Sequence, residues 1–576
     1  MKTIFRILVL LTISVTTFSA PYHGETETFR QPDGSEVLVK LFGDEYYLRA
    51  ESLDGYTLIR DEKTGWIYYA ALSADSSALL STGTIYRGDV KTSMKREDNS
   101  EEIMKHLDIS TSSRLILSEK NRQQFNLQGF DNNLREQAVA ENAPAPVLSG
   151  KVKGLTIIID FSDAPGTLPL TEYDNLWNSM TYTNYSNNGS VKKYYYDISG
   201  GVLEYENVVF GIFRAPKTFA EYETMAYAAG AQEILGLALN WIKSKGFDFS
   251  TLTTDANKNI KAINIMYTGK PKEWAKGMWH HQGSYNRFTA NGVRSSKYNC
   301  SGANAPLSIA TSCHENGHMI CGWPDTYKYD ETTGVDGIGA FDLMCSMGAS
   351  TNPVPPNPYF LAKMGWATVT SVNGFNGVKS DISNDNAVYK YSNPANEKEY
   401  YLFQSITKTA RGKSYPDQGL TIWHIDEAGN NQTTRHQVYL MHANNNISAH
   451  QNACWKSTYK TEFNDAATPS AKWYDGSNSG LKCSEVSPFG ATMTYKFGSG
   501  TVTGLNEEFL LKTHNIYPNP SSGGIFHLNA ACIWEAYSLQ GILIESGNGD
   551  YVNLSQQPKG IYLLHTGHTV KTLIVQ

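Results

Sequence analysis

Short runs of apolar and aromatic residues broken by turn residues dominate the first part of the chain. Residues 36–42, 45–49 and 66–70 are such runs, and the pairs Asp33-Gly34 and Asp54-Gly55 separate them. Brief strand-forming runs between turns predict a small antiparallel module from about residue 22 to 90. Residues 99–140 become polar and helix-favouring and lead into Asn142-Ala143-Pro144-Ala145-Pro146, a linker composition that places a domain boundary near residue 146. Further on, residues 155–161 and 263–267 are apolar runs typical of buried strands, and residues 202–213 alternate. Residues 190–198 have a helical pattern, and residues 222–245 carry Ile234, Leu235, Leu237, Ala238 and Trp241 at the spacing of a long amphipathic helix. Strands mixed with helices in this way predict an α/β or α+β domain. Beyond about residue 370 the helical period is lost. Residues 400–404, 420–425 and 437–441 read as strands of an all-β sandwich, and a last strand-and-turn module begins near Asn515.

Composition narrows the class. With 576 residues, several domains are expected at roughly 100–200 residues each. An aromatic share of 12%, with 35 Tyr against 22 Phe, together with 48 Gly and only 18% charged residues favours β-rich extracellular architecture. The net charge of −7 and the lack of a basic run leave no electrostatic footprint for nucleic acid, which is excluded as an expected partner. Lys2 and Arg6 precede an apolar stretch over residues 7–15 that leads to Ala20, the form of a secretory signal peptide over residues 1–20. Bulky Phe18 makes cleavage after Ser19 the alternative. The apolar stretch is about half the ~20 residues needed to span a bilayer, and no later stretch is long enough, so the mature chain is expected without a transmembrane segment. Export in turn predicts disulfides among Cys300, Cys313, Cys321, Cys345, Cys454, Cys483 and Cys532, with Cys454–Cys483 a candidate local bridge. Loss of a tail carrying Cys532 would leave an even number.

One stretch carries recognisable chemistry. Ala310, Cys313, Gly317 and Ile320 recur at three- and four-residue spacing and define a buried helical face. His314 and His318 then stand one turn apart and point the same way, a spacing that lets two imidazoles bind one zinc ion, with Glu315 beside the remaining coordination position. In such a site the metal activates a water and polarises the scissile carbonyl, while the carboxylate moves the proton to the leaving amine. A His-Glu-x-x-His match arises by chance in roughly 2% of chains of this length, so its context has to decide. Gly322 and Pro324 end the helix and turn the chain, and Asp325 then offers a third, carboxylate ligand.

The stretch Ser312-Cys313-His314-Glu315-Asn316-Gly317-His318, with Asp325-Thr326-Tyr327 and the later Gly337-Ile338-Gly339-Ala340-Phe341-Asp342-Leu343-Met344, resembles the immune-inhibitor-A-like (M6) metallopeptidases. Pro355-Pro356-Asn357-Pro358-Tyr359 and Lys363-Met364-Gly365-Trp366 continue the likeness, which covers most of residues 150–500. The resemblance implies a zymogen with a zincin-like α/β catalytic domain. Within that domain it implies zinc held by His314, His318 and Asp325, Glu315 as general base, and Met344 in a turn beneath the metal. There is one departure: the family places Gly three and Asp six residues after the second His, whereas Gly322 and Asp325 stand four and seven residues on. Asp330, Glu331 and Asp336 therefore remain alternatives for the third ligand. The C-terminal run Ile516-Tyr517-Pro518-Asn519-Pro520, followed by Tyr537-Ser538-Leu539-Gln540-Gly541 and Pro558-Lys559-Gly560-Ile561-Tyr562, is similar to the sorting domains of the type IX secretion system of Bacteroidetes. An ordinary adhesive or carbohydrate-binding β domain is the alternative there.

The combined expectation is a multidomain α+β precursor. It has a signal peptide (1–20), a β-rich propeptide with helical linker (21–145), a zincin-like catalytic domain (146–370), a β-sandwich accessory domain (371–505) and a small β sorting domain (506–576). The expected activity is secreted zinc-dependent endopeptidase, with protein or peptide substrates and the type IX machinery as partners; the rival is a surface adhesin on a catalytically dead scaffold. Other candidates have two readings each. His280 and His281 line the cleft or are solvent-facing or structural; Tyr327, Tyr329 and Tyr359 are possible oxyanion donors; His424, Asp426 and Glu427 form a structural calcium site or an ordinary strand end. With no Cys before Cys300, latency through a propeptide thiol on the metal is excluded.

Overall fold

The computed structural model describes residues 22–43, 47–61, 63–88, 104–126, 148–226, 228–271, 278–327, 337–429, 431, 435–498, 516–539, 543–566 and 569–576. The signal peptide, the Pro-containing linker, and Tyr329, Asp330, Glu331 and Asp336 lie outside the described residues. The architecture is mixed, with more strand than helix (38% against 18%). Residues Met1–Gly498 form one compact unit and Ser499–Gln576 a second.

The first strands form a six-stranded antiparallel meander in sequence order: β1 (Tyr22–Arg30), β2 (Glu36–Gly43), β3 (Leu48–Glu51), β4 (Thr57–Arg60), β5 (Ile67–Leu72) and β6 (Leu79–Ile85). In β2 burial alternates with period two: Val37, Val39 and Leu41 are buried while their neighbours Glu36, Leu38 and Lys40 turn outward. Asp108, accepting ion pairs from Arg49 and Arg114 at 3.5 Å each, ties the helix Thr111–Asn126 to this sheet.

The central sheet combines β7 (Gly150–Asp160), β8 (Leu203–Arg214), β9 (Ile263–Tyr267), β10 (His281–Ser284) and, beyond a small hairpin of β11 (Thr289–Ala290) and β12 (Val293–Arg294), β13 (Lys297–Gly302). Its order is β10-β13-β9-β7-β8; four strands are parallel and β10 runs antiparallel at the edge. Alternate residues of β7 serve two cores, as a sheet covered on both faces requires. Leu155, Ile157 and Ile159 pack with the helix Ala229–Ser244, whereas Val152 and Ile158 pack with the helices Leu170–Asn178, Val191–Ile198 and Ala310–Asn316.

The helix expected over residues 222–245 is divided. Thr218 and Glu221 form a capping box that starts Phe219–Glu223, and the longer helix begins only at Ala229, after Ala228 in left-handed conformation (φ 61°). Its buried face is Ile234, Leu235, Ala238, Leu239 and Ile242, while Leu237 points outward, 39% exposed.

After the short ribbon β14 (Gly348–Ala349) and β15 (Asn352–Pro353), two sheets share a core, the arrangement of a sandwich. One has the order β16-β18-β19-β20-β21 and comprises residues Thr368–Ser371, Ala387–Asn393, Asn396–Ile406, Gly419–Asp426 and Val438–Met441. The other has the order β17-β24-β23-β22 and comprises residues Gly377–Ile382, Thr492–Phe497, Lys482–Ser484 and Phe463–Asn464. The second unit is a five-stranded antiparallel sheet around Phe526, Trp534, Val552, Leu564 and Leu573.

The expected disulfides do not form among the described residues: Cys300, Cys313, Cys321, Cys454 and Cys483 carry free thiols. Cys454 and Cys483 lie in different hydrophobic cores, so the local bridge suggested by their spacing is not made.

His280 and His281 are structural rather than solvent-facing. Both are buried, and His281 bonds through Nδ1 to the Trp279 carbonyl (2.7 Å) and through Nε2 to the Tyr298 hydroxyl (2.8 Å). Burial pushes the pKa of each down to about 4. Between pH 4 and about 6.5 the unfolded chain therefore binds more protons, and stability contributed by these imidazoles is lost as pH falls through that window, at about 1.4 kcal/mol per unit for each residue. Thermal melts at pH 7 and pH 5 are expected to show a smaller acid-induced drop in His280→Gln/His281→Gln than in wild type, and an unchanged drop would contradict this account.

Candidate metal centre

The helix Ala310–Asn316 is short, and all seven of its residues are buried. It is held by polar contacts: the Tyr195 hydroxyl, from the helix Val191–Ile198, donates to the Cys313 carbonyl (2.6 Å), and the Tyr205 hydroxyl, from β8, donates to Asn316 Oδ1 (2.7 Å). Asn316 Nδ2 in turn donates to Asn264 Oδ1 (3.0 Å) and to the Ser312 carbonyl (2.7 Å). Asn316 thereby joins the helix to β8 and β9 within one buried network.

Beyond Asn316 the α-helix gives way to a π-helical turn, Gly317–Cys321, which ends at Gly322 in left-handed conformation (φ 70°). A π turn holds one residue more than an α turn. The chain leaves this turn in a direction that brings Asp325, seven residues after His318, back to the two imidazoles. Gly317 is required where it stands: a Cβ there would lie 2.8 Å from Met344 Sδ and 3.0 Å from the Trp323 ring. Met344 thus packs directly beneath the residue that precedes His318.

The Nε2 atoms of His314 and His318 are 3.1 Å apart, and Asp325 Oδ1 lies 3.2 Å from each. Each imidazole donates through Nδ1 to a backbone carbonyl, His314 to Leu343 (3.1 Å) and His318 to Trp323 (2.6 Å). A carbonyl only accepts, so the neutral rings keep Nε2 as a lone-pair donor toward the centre. Apart from these two nitrogens, the buried Asp325 Oδ1 has no hydrogen-bond partner among the described residues. Three lone pairs therefore converge, an arrangement that calls for a cation. Its near-equal edges match the ~3.3 Å edge of a tetrahedron with ~2.0 Å metal–ligand bonds.

The electrostatics express the same demand for positive charge, which a proton on His318 meets when no cation does. Burial disfavours a charge on His318, yet the carboxylates of Asp325 and Glu315 outweigh it and raise its pKa to about 9. Burial likewise works against the Asp325 carboxylate, and the neighbouring His318 and His314 hold it well below the ordinary range. Glu315, the residue after the first ligand, is 3% exposed, and its charge is felt at His318.

His314, His318 and Asp325 are therefore brought together, with Glu315 beside them. Tyr327 and Tyr359 are both buried, and Tyr359 lies under the Lys363 ammonium. His424 pairs with Glu399 (3.0 Å) between the rings of Tyr401 and Tyr474; Asp426 pairs with Arg435; Glu427 pairs with Lys363 (2.9 Å). The three residues considered for calcium thus have protein partners and do not converge.

Sequence reasoning missed the supporting contacts. The Leu343 and Trp323 carbonyls, Asn316, Thr326, Asp342 and Asn431, whose Nδ2 donates to the Asp325 carbonyl (2.9 Å), have no periodicity or spacing that marks them. Asn316, Thr326, Asp342 and Leu343 stand within the motifs given above, but nothing in their spacing assigns them a supporting contact.

The chain matches no protein-family model and no curated protein.

Substituting Asp325→Ala is expected to abolish stoichiometric zinc binding, measured by elemental analysis after dialysis against trace zinc. Full occupancy in the variant would move the third ligand to Asp330, Glu331 or Asp336.

Proposed function

We propose that this chain is the precursor of a secreted zinc-dependent endopeptidase of the M6-like, zincin type. The observation that carries this reading is the triangle of His314 Nε2, His318 Nε2 and Asp325 Oδ1 with a buried glutamate adjoining the first ligand. Three protein ligands at this spacing leave a fourth tetrahedral position for chemistry, the pattern of catalytic rather than structural zinc sites. When bound, zinc supplies Lewis acidity, bringing the pKa of a water toward neutrality and polarising the scissile carbonyl. Glu315 accepts the proton from the attacking water and delivers it to the leaving amine, which must depart neutral for the peptide bond to break. The Leu343 and Trp323 carbonyls keep the imidazoles in the tautomer that presents Nε2.

The surroundings support a precursor. The N-terminal meander rests on the segment before β10: Glu27 accepts from Lys270 (2.7 Å), and the Tyr22 and Trp279 rings lie 5.6 Å apart. This contact suits a propeptide that folds onto its enzyme. The separate C-terminal sheet suits a removable sorting domain, and with residues 1–20 read as a signal peptide the destination is the medium or the outer cell surface.

Casein hydrolysis by the processed protein should vanish with a zinc chelator and return with zinc, and Glu315→Ala should lower kcat by about 10²–10⁴-fold with zinc still bound. Wild type that is inactive after removal of the N-terminal module and binds no zinc would favour the adhesin reading instead. Deleting residues 516–576 is expected to leave the protein in the periplasm of its host, and fractionation showing normal export would refute the sorting role.

A further inference from the structure

The contacts that hold the ligands converge on a buried carboxylate outside the ligand set. Asp342 is fully buried. Its Oδ2 accepts from the Thr326 hydroxyl (2.6 Å) and Asn357 Nδ2 (2.8 Å), and its Oδ1 accepts from the backbone N–H groups of Met344 and Asn357 (3.1 Å each). All four donors are neutral. Burying a carboxylate without a cation is costly, and it is sustained only where donors are already aligned. That investment is made at the junction of three segments.

The first segment is the one that carries Asp325. Thr326 follows it directly and is gripped twice, by its hydroxyl on Asp342 and by its N–H on the Met344 carbonyl (2.9 Å). The second is the ligand helix, because the Leu343 carbonyl, between Asp342 and Met344, orients His314. The third is the helix Pro358–Lys363, whose N-cap Asn357 bonds Asp342 through its side-chain amide and caps Phe360 N–H through Oδ1 (3.0 Å). One carboxylate thus sets the relative placement of two ligands that come from separate stretches of chain. The need arises because Asp325 lies beyond a π turn and its position is not dictated by the helix that carries the histidines.

We propose that Asp342 is the positioning residue of the metal centre: through Thr326 and the Leu343 carbonyl it holds Asp325 and His314 at ligand spacing before metal arrives. The proposal rests on the metal-centre reading above. Its test is zinc affinity of the full chain, measured by competition with a chromophoric chelator, for wild type, Asp342→Asn, Thr326→Val and Thr326→Ser. Asp342→Asn and Thr326→Val should weaken zinc about 10–100-fold, the cost of losing an outer-shell contact, whereas Thr326→Ser should keep most of the affinity. The cobalt-substituted Thr326→Val protein should also show altered d–d absorption as the carboxylate ligand shifts. Thr326→Val keeps shape and volume, so it decides the matter should Asp342→Asn fail to fold. A purely structural role would lower the melting temperature of the zinc-free variants and leave zinc affinity and the cobalt spectrum as in wild type; that result overturns the proposal alone. Wild type without stoichiometric zinc binding would overturn the metal reading itself.

Discussion

Two imidazole nitrogens and a carboxylate oxygen, all able to present lone pairs, face one another at 3.1–3.2 Å on side chains only 2–16% exposed. Without a proton or a metal ion between them such atoms repel, and at low dielectric the repulsion is strong. The surrounding structure has to hold them together regardless. The ligand helix is buried on every side, so its position is set by packing rather than by its own short length. Carbonyls fix the ring tautomers, and the turn Asp342–Met344 braces both the helix and the returning strand of chain. Preorganisation of this kind moves the cost of assembling a charged site from ligand binding into folding.

The bracing depends on the β domain as well as the central sheet. Tyr400, Leu402, Trp423 and Ile425 belong to the same hydrophobic core as Cys313, Leu343 and Met344. The change of pattern near residue 370 marks a change of secondary structure, yet a continuous core runs across it. Asn431, from the β domain, also holds the Asp325 carbonyl. This part of the chain therefore acts as a wall of the site and not only as an appendage.

The free cysteines fit the same picture. Burial raises the thiol pKa of Cys300, Cys313, Cys321, Cys454 and Cys483, which lowers their reactivity. They behave as small apolar side chains that fill cores already dense with tyrosine and tryptophan. Stability in this chain comes from those cores among the described residues, and cysteine content did not reveal that because pairing depends on distances that spacing does not encode.

By itself the sequence determined what local chemistry and periodicity control. The apolar runs over residues 36–42 and 66–70 marked real strands, the helical pattern over residues 190–198 marked a real helix, and His314, Glu315 and His318 were bound to share a helical turn because spacing alone places them there. Elements whose end depends on neighbours were not legible in this way: the helix read over residues 222–245 breaks at Ala228, and Leu237 faces solvent. Tertiary structure alone decided whether Asp325 could reach the histidines across an extra residue. The answer lay in a π turn, in a Gly317 that lets Met344 approach, and in a buried Asp342 that grips Thr326 from sixteen residues away. Each of these is a contact between segments brought together only by folding, and no spacing rule along the chain encodes such a contact.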